Sequence, residues 1–303
     1  MQNGINDRCA ILMVTYNAIP NFKMLEIAFN FVKYAIIVDN NSSSRIIDAI
    51  EEFSSKHPQC IPIFNDANYG ISRAYNAGVE FANSKGIKWL FFLDGDADFG
   101  EEYFIESFSM LKMAQDKGIK LGIICPIVAD SENLKKIRFK ESFSLIRSAI
   151  TSGIMINTDT FLQISGYDES LFVEAADLDF TRRVVINGME ICRINKVLIT
   201  QTFGRRVSVK EGVIVKSYDL VSYFSSLLTL RLGILNVARS KYPLYNPSRR
   251  GQYYNNLIKS SNGTRKLIMR IYSMISILFD SFFFQIARTK WENDEINTDK
   301  EVK

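Results

Sequence analysis

Four short apolar runs in the first hundred residues each end in polar residues, and helical patterns separate them. The runs cover residues 9–14, 35–38, 61–64 and 89–93. Continuous apolar runs of this length are typical of strands buried on both faces of a parallel sheet. Because the strands alternate with helices, we predict a doubly wound α/β sheet whose ligand crevice lies at the carboxyl ends of the strands. The polar residues after these runs are therefore expected to meet at one site.

The pattern continues less regularly along the rest of the chain. Helical spacing predicts helices over 21–33, from 45 onwards, from 72 to 81, and over 103–113, 158–164 and 177–187. Further strands are predicted over 121–128, 152–156 and 191–200, whereas 131–147 is charged and predicted to be irregular. Residues 1–210 are therefore expected to form one α/β domain with a mostly parallel sheet and helices on both faces.

Composition excludes several classes of function. A hydrophobic content of 47% and a net charge of +4 fit a folded protein that does not require nucleic acid as a partner. The single histidine, His57, argues against a His-rich metal site and a Ser-His-Asp triad. The four cysteines lie far apart with no CxxC pair, which indicates buried thiols in a reducing compartment. We also expect no signal peptide.

Two aspartates, Asp94 and Asp96, follow the apolar run Trp89–Leu93 and are separated by Gly95. Such a sequence by itself is most often a surface turn. Its place directly after a buried strand favours a site for Mg²⁺ or Mn²⁺, which would bind the diphosphate of a nucleotide. We expect Asp96 to be the direct metal ligand, and Asp94 to contact ribose or a metal-bound water.

The ends of the first two strands carry candidates for recognition of a base. Asp39 is either the start of an Asx-turn or a carboxylate that accepts the N3–H of uracil or thymine. Thr15, Tyr16 and Asn17 end the first strand and could contact the same base by stacking and through the backbone.

Small and polar residues recur where the loop after the third strand enters a helix. They either let a nucleotide approach closely or allow tight packing of helix against strand. Arg73 is a candidate for binding phosphate. The small and polar residues are Asn68, Gly70, Ser72, Asn76 and Gly78.

Three acids, Glu174, Asp177 and Asp179, cluster at the predicted start of a later helix. Acids are favourable there because of the helix dipole, so the cluster is compatible with a purely structural role. A carboxylate could also serve as the general base that activates a sugar hydroxyl, since no histidine is suitably placed in the sequence. Arg182 and Arg183 follow one turn later and could pair with these acids or with phosphate.

The ordered set of motifs over residues 9–204 resembles the family 2 glycosyltransferases of the GT-A fold, and most of all their bacterial rhamnosyltransferase subgroup. The motifs that carry the resemblance are Val14–Asn17, Val38–Ser42, Asn68–Gly78, Phe92–Asp96, Thr151–Gly153 and Gly166–Arg183. The resemblance implies a nucleotide-sugar donor, a divalent metal (Mn²⁺ or Mg²⁺) at the two aspartates, and inverting transfer.

The resemblance also implies roles for individual residues. Asp177 matches the catalytic base, since Asp179 and Arg183 match the Asp and Arg that follow it in the family, and Arg183 is then expected near the nucleotide sugar. Ser152 and Gly153 would lie near the donor or acceptor sugar.

Two positions differ from the family pattern. Gly95 stands where the subgroup usually has Gln, and Gln201 stands where the family often has a histidine of the metal site. Gln201 is therefore a possible metal ligand, with a side-chain amide in place of the imidazole.

The C-terminal part, residues 211–290, is predicted to be helical. Its apolar segments, 218–237 and 267–287, are interrupted by charges and are too broken to span a membrane. With basic residues around the second segment, they could lie at a membrane surface, or pack on the domain or on a second copy in a homodimer. Residues 291–303 are charged and expected to be disordered.

These inferences together predict a cytoplasmic enzyme on the inner face of the cell membrane. As the resemblance implies, it would move a sugar, L-rhamnose being one candidate, from a dTDP- or UDP-linked donor to a polyprenyl-diphosphate-linked glycan of O-antigen or capsule assembly. One alternative is a non-catalytic homologue that binds a nucleotide or glycan. The other is a sugar-nucleotide pyrophosphorylase, which would need a basic, Gly-rich loop that Thr15–Pro20 lacks.

Overall fold

The computed structural model describes residues 6–129, 141–169 and 176–201, and the backbone of two short strands further on. The chain divides into two compact units, Met1–Thr202 and Phe203–Lys303. The predicted boundaries at 210 and 290, the predicted helices over 218–237 and 267–287, and the tail 291–303 lie outside the described residues. Within the described part, no helix is long and apolar enough to cross a membrane.

The first unit consists of eight described strands and six described helices. The strands are β1 (Cys9–Thr15), β2 (Tyr34–Asp39), β3 (Cys60–Phe64), β4 (Trp89–Asp94), β5 (Leu121–Ala129), β6 (Phe143–Ile146), β7 (Met155–Asn157) and β8 (Glu190–Thr200). The helices are α1 (Phe22–Ala28), α2 (Ser44–Lys56), α3 (Gly70–Ser84), α4 (Glu102–Asp116), α5 (Thr158–Gln163) and α6 (Ala176–Ile186).

The eight strands form one sheet in the order β3-β2-β1-β4-β7-β5-β8-β6. Neighbours pair in parallel, except that β7 runs antiparallel to β4 and β5, and β6 runs antiparallel to β8. The mostly parallel α/β sheet predicted from the sequence is confirmed. Because β1, β2, β3 and β4 are parallel neighbours, the residues that end them lie along one edge of the sheet.

Helices cover both faces of the sheet, as predicted. Ile11 and Met13 of β1 belong to the same buried cluster as Leu25 of α1. Leu12, between them, faces the opposite side, where a Cβ atom added at Gly78 of α3 would overlap its side chain. Burial of each such side chain on both faces stabilises the sheet by about 1.5–3 kcal/mol.

Three predicted element boundaries need correction. The region 131–147 is not irregular throughout, because β6 forms there by pairing with β8. Strand β7 starts at Met155 rather than at residue 152, since Gly153 has a φ of +86° and the extended chain begins after it. Helix α1 ends at Ala28 rather than near residue 33, because the chain turns there to enter β2.

In the second unit the structure describes two strands, β9 (Arg205–Ser208) and β10 (Ile214–Ser217), which pair antiparallel. The sequence patterns do not predict this pair.

Candidate active site

The two aspartates lie on a turn directly after β4. The backbone N–H of Ala97 donates to the Asp94 carbonyl at 3.1 Å, which closes the turn. Asn21, the residue before α1, stabilises the turn through two hydrogen bonds. Its backbone N–H donates to the Gly95 carbonyl at 2.7 Å, and its side chain donates to the Ala97 carbonyl at 3.3 Å. Asp96 is exposed at the tip. The sequence patterns do not single out Asn21, because its partners are far away in the chain.

Several side chains fix Asp94 at the end of β4. The Ser152 hydroxyl accepts a hydrogen bond from the Asp94 backbone N–H at 3.2 Å. The Tyr75 hydroxyl contacts the Leu93 carbonyl at 3.2 Å and an Asp94 carboxylate oxygen at 3.5 Å. The Gln201 side chain also interacts with the Asp94 carboxylate and lowers its pKa. Asp94 is therefore held by groups from α3, from the loop before β7 and from the end of β8.

The electrostatics of Asp94 show that acids from separate segments share one site. Burial, together with the charges of Asp96 and Asp177, raises the pKa of Asp94 to about 6, against contacts with Tyr75 and Gln201 that lower it. Asp96 is close to Asp94 in the sequence, whereas Asp177 belongs to α6, far along the chain. The structure thus brings the aspartate turn and the predicted base together, in a negative site suited to a cation.

Asp177 lies in the first turn of α6 and is half-buried. Its Oδ1 accepts a hydrogen bond from the Leu178 backbone N–H at 2.7 Å. Burial raises the pKa of Asp177 above its usual value, and backbone hydrogen bonds partly oppose this. A raised pKa makes a carboxylate a better proton acceptor, which suits a general base. Glu174, the third predicted acid of this cluster, lies outside the described residues.

Asp179 and Arg183, one turn apart on α6, form an ion pair at 2.8 Å. The Arg183 side chain also donates to the Ile164 carbonyl at 2.5 Å. These contacts tie α6 to the end of α5. The structure therefore places Arg183, predicted as a nucleotide-sugar residue, in contacts that anchor the helix carrying Asp177.

Arg182, next along the helix, is an unusual buried cation. It is 2% exposed, and within the described part of the chain none of its three guanidinium nitrogens has a hydrogen-bond partner. Burial lowers the pKa of Arg182, while the charge of Asp179 raises it. No sequence pattern predicts that this arginine, rather than its neighbour, is buried.

The loop before α6 is fixed by Asn76 and Tyr167. The Asn76 amide accepts from the Tyr167 N–H at 2.8 Å and donates to the Tyr167 carbonyl at 2.9 Å and to Glu169 at 3.0 Å. The Tyr167 hydroxyl bonds to Thr151 at 2.9 Å. Burial raises the pKa of Tyr167, and the negative charge of Asp177 adds to this. Asn76, predicted near the nucleotide sugar, thus orders the approach to α6.

Ser152 and Gly153 lie beside the end of β4, as their backbone contacts show. The Gly153 N–H donates to the Phe92 carbonyl at 2.6 Å. Gly153 has a φ of +86°, and a Cβ there would come within 2.7 Å of Pro126. A side chain at this position is therefore disfavoured both by the backbone and by lack of space.

Asp39, at the end of β2, is fully buried. Its Oδ1 accepts a hydrogen bond from the Ser42 N–H at 2.9 Å, which is the Asx-turn that the sequence allows. Its Oδ2 is buried without a hydrogen-bond partner among the described residues. A buried acceptor oxygen without a partner is costly unless a donor reaches it.

The end of β1 adjoins this carboxylate. Thr15 is buried, and its hydroxyl donates to the Ala18 carbonyl at 2.6 Å. Asn17 adopts a positive φ of 51°, and its N–H donates to the Ser42 hydroxyl at 2.8 Å. Tyr16 is 51% exposed, so its ring is accessible for stacking. The structure brings these three predicted residues to the same sheet edge as Asp39.

An amide network missed from the sequence joins the ends of β2 and β3 to α3. The Asn40 side chain donates to the Gly70 carbonyl at 3.0 Å and accepts from the Asn65 amide at 2.8 Å. The Asn68 side chain accepts from the Gly70 N–H at 3.0 Å. Asn40 belongs to the polar cluster after β2, which is the signal that could have identified it.

The other predicted residues of α3 have different surroundings. Ser72 is buried, whereas the Arg73 guanidinium stacks over the Tyr69 ring at 3.9 Å. For Gly78 the packing alternative applies, because a side chain there would overlap Leu12.

The oxygen atoms near the aspartate turn fit a hard divalent cation. Among the described residues, no group of three or more His, Cys, Asp or Glu side chains is arranged to hold a metal. Asp94 and Asp96 supply carboxylates, and the Gln201 Oε1 is buried without a hydrogen-bond partner among the described residues. Mg²⁺ and Mn²⁺ prefer oxygen ligands, and Mg²⁺ often completes its shell with substrate phosphates.

Comparisons with known proteins identify the family of this chain. The model of the family "Glycosyl transferase family 2" matches residues 10–163, just over half of the chain. The dTDP-rhamnosyl transferase RfbF of Shigella flexneri is 25% identical over 222 residues, which cover 68% of this chain and 72% of that protein.

Solved structures share the fold at low sequence identity. The mannosyltransferase PcManGT from Pyrobaculum calidifontis, in complex with GDP-Man and Mn²⁺, has a TM-score of 0.57 at 12% identity, covering 95% of this chain and 87% of that one. GalNAc-T7 with UDP, GalNAc and Mn²⁺ has a TM-score of 0.55 at 11% identity over 82% of this chain. The chain spans only 54% of the length of that second structure.

Proposed function

This chain belongs to glycosyl transferase family 2, and we propose that it transfers a sugar from a dTDP- or UDP-linked donor to an acceptor hydroxyl. The observation that carries this proposal is the convergence of acids from two segments, since Asp96 and Asp177 both raise the pKa of Asp94. Sugar transfer with a diphosphate leaving group needs a cation that stabilises the departing charge and a base that takes the proton of the attacking hydroxyl. The two aspartates and the separate Asp177 carboxylate can supply these two functions.

The nucleotide is proposed to bind at the ends of β1 and β2. Asp39 Oδ2 lacks a partner among the described residues and can accept the N3–H that uracil and thymine share. Adenine and cytosine carry no ring N–H at the matching position, so this carboxylate favours uracil and thymine over those two bases. Tyr16 is exposed beside it and can stack on the base.

Asp96 and Asp94 are proposed to hold Mg²⁺ or Mn²⁺ together with the donor diphosphate. When bound, the cation neutralises the charge that develops on the leaving diphosphate. Two solved structures that share the fold are complexes with Mn²⁺, which supports a divalent cation here.

Asp177 is proposed to be the general base. It would take the proton from the acceptor hydroxyl while that oxygen attacks the anomeric carbon and the bond to the nucleotide diphosphate breaks. One such displacement inverts the anomeric configuration. Burial raises the pKa of Asp177, which favours this role.

Rhamnose is the proposed sugar, because the relative from Shigella flexneri is named a dTDP-rhamnosyl transferase. The proposed acceptor is a lipid-linked glycan of O-antigen or capsule assembly at the inner face of the membrane. Sedimentation of the full chain with anionic vesicles, but not with neutral ones, would support the membrane part; sedimentation with neither would overturn it.

The function is tested by a donor screen. Purified protein is incubated with dTDP-, UDP- and GDP-sugars in Mg²⁺ or Mn²⁺, and binding is followed by thermal shift before transfer to lipid-linked acceptors is measured. We expect dTDP- or UDP-sugars to bind and GDP-sugars to bind poorly. Asp39→Asn should weaken binding of the dTDP- or UDP-sugar, whereas Asp159→Asn, the same change at an exposed surface ion pair, should not. A preference for GDP-sugars would contradict the proposal.

A further inference from the structure

Asn21 occupies the N-cap position of α1, but its side chain does not cap the helix. Asparagine is common at N-caps because its side-chain oxygen accepts hydrogen bonds from the first N–H groups of the helix. Within the described part of the chain, the Asn21 side chain accepts no such bond. Asn157, at the N-cap of α5, does accept them, from the N–H groups of Asp159 and Thr160 at 3.0 and 3.2 Å. The Asn21 amide is therefore used for a contact outside its own helix.

The two hydrogen bonds that Asn21 donates to the aspartate turn lie on either side of Asp96. The Asn21 N–H bonds to the carbonyl of Gly95, immediately before Asp96, at 2.7 Å. The side-chain amide bonds to the carbonyl of Ala97, immediately after Asp96, at 3.3 Å. Asp96 itself is exposed, so the direction of its carboxylate depends on the backbone of the turn. A single residue, distant in the sequence, thus fixes this backbone on both sides of Asp96.

Gly95 makes this support important. Its φ is not in the left-handed region, and a Cβ atom added to it would lie 3.5 Å from the Thr15 hydroxyl oxygen, which is an ordinary contact distance. The folded turn therefore does not require glycine at this position. Because glycine has the greatest backbone freedom of all residues, the turn would adopt more conformations without the hydrogen bonds from Asn21.

We propose that Asn21 is a positioning residue that holds Asp96 in the direction required for binding the divalent cation. This inference rests on the proposed function, because the cation would bind together with the nucleotide diphosphate. Residues that orient a metal ligand contribute about 10- to 100-fold to metal affinity. Asn21 would therefore strengthen nucleotide binding only when the cation is present, although its own hydrogen bonds go to the protein backbone.

The test measures how much Mn²⁺ improves nucleotide affinity. UDP and dTDP are titrated calorimetrically into the full-length protein in EDTA and in Mn²⁺. Asn21→Ala removes the side-chain donor. Asn21→Asp removes it with little change of shape and keeps a residue that is preferred at N-caps. The two variants differ in charge, so a loss that both share is not an effect of charge.

A control and a second readout separate positioning from general stability. Asn157→Ala is the matched control, because it removes a true N-cap whose residue pairs with Trp89, at the opposite end of β4 from the aspartates. The second readout is hydrogen exchange of the backbone N–H groups of residues 94–98 in metal-free protein. Urea unfolding of every variant measures its stability.

Both Asn21 variants should lose about tenfold or more of the affinity gain that Mn²⁺ gives, while their affinity in EDTA stays unchanged. Hydrogen exchange over residues 94–98 should be faster than in the wild type, since the Ala97 N–H closes the turn by its bond to the Asp94 carbonyl. Asn157→Ala should lower the unfolding midpoint and change neither of the other two measurements. If Asn21→Ala does not fold, Asn21→Asp alone decides the test.

Three results would overturn the inference. One is a full Mn²⁺-dependent gain, or unchanged exchange of the turn, in a folded Asn21→Asp protein. Another is an equal loss of affinity in EDTA and in Mn²⁺, which would mean that Asn21 acts on nucleotide binding without the cation. The third is an equal loss of the gain in Asn157→Ala, which would make it an effect of stability. In all three cases a Mn²⁺-dependent gain in the wild type leaves the proposed function standing, whereas its absence there would overturn both.

Discussion

Replacing Asp177 by asparagine removes the proposed base while keeping its shape. The asparagine carbonyl can still accept the 2.7 Å hydrogen bond from the Leu178 N–H, so the first turn of α6 is expected to persist. The ion pair of Asp179 with Arg183 and the bond from Arg183 to Ile164 are untouched and keep the helix docked. The loss of one acid near the helix N-terminus costs about 0.3–1 kcal/mol of stability, too little to unfold the protein.

The kinetic effect is expected to be far larger. General base catalysis contributes about 10²–10⁴ in rate, which corresponds to about 3–5 kcal/mol of transition-state stabilisation. Donor binding should be preserved or improved, because the charge of Asp177 raises the pKa of Asp94 and its removal leaves that carboxylate more readily ionised. The Asp177→Asn protein should therefore have a much lower kcat, whereas its dissociation constant for the donor should not increase.

The assay compares single-turnover transfer and calorimetric donor binding in the wild type, Asp177→Asn and the surface control Asp159→Asn. The wild type should also lose rate as the pH falls through a pKa above that of an ordinary aspartate, since the base must be ionised and burial raises its pKa. A rate within about threefold of the wild type, far less than a general base contributes, would remove Asp177 as the base. A parallel loss of donor binding would assign it to the donor site instead.

Three further substitutions test the energetics of the site and its scaffold by urea unfolding. The pKa of Asp94 is raised from 3.8 to about 6, so its protonated form is favoured by folding and stability falls as the pH rises through this window. In metal-free buffer, Asp94→Asn should thus raise the free energy of unfolding by up to about 3 kcal/mol at about pH 8 and little at about pH 4; an equal gain at both would contradict this. Arg182→Met removes a buried guanidinium without hydrogen-bond partners among the described residues, so the free energy of unfolding should stay the same or rise by about 1 kcal/mol or more. A clear loss of stability would show that the Arg182 guanidinium has a partner. Gly78→Ala forces a Cβ into Leu12 and should destabilise by about 1–3 kcal/mol, which an unchanged unfolding midpoint would refute.

The parts of the fold that sequence patterns predict are those set by local apolar runs. Strands β1, β2 and β4 are almost completely buried, so their side chains are apolar on both faces and the polar residues that end them stand out. Hence the order of residues is enough to locate Asp39 and Asp94 at the sheet edge.

Other features depend on partners far along the chain. β6 has a mixed burial pattern at the edge of the sheet and is defined by its pairing with β8. The antiparallel direction of β7 follows from its neighbours β4 and β5, which no periodicity reveals.

Within the site, the residue types are predictable but their contacts are not. The Asn76 amide pairs with the backbone of Tyr167, 91 residues away. Similarly, Tyr75 of α3 reaches Asp94, 19 residues further along the chain. A pattern of small and polar residues on α3 could not distinguish the residues that contact the active-site loops from Gly78, which serves packing.

The central claim is that the aspartate turn binds a cation together with a nucleotide diphosphate. The most direct measurement is calorimetric titration of dTDP and UDP into wild type and Asp96→Ala, in EDTA and in Mn²⁺, with Asp159→Ala as the surface control. The account predicts that Mn²⁺ tightens binding of at least one nucleotide to the wild type and to the control, and that Asp96→Ala loses this gain while remaining folded. Equal affinity of wild type and Asp96→Ala in Mn²⁺, or wild-type binding that is indifferent to Mn²⁺, would contradict it.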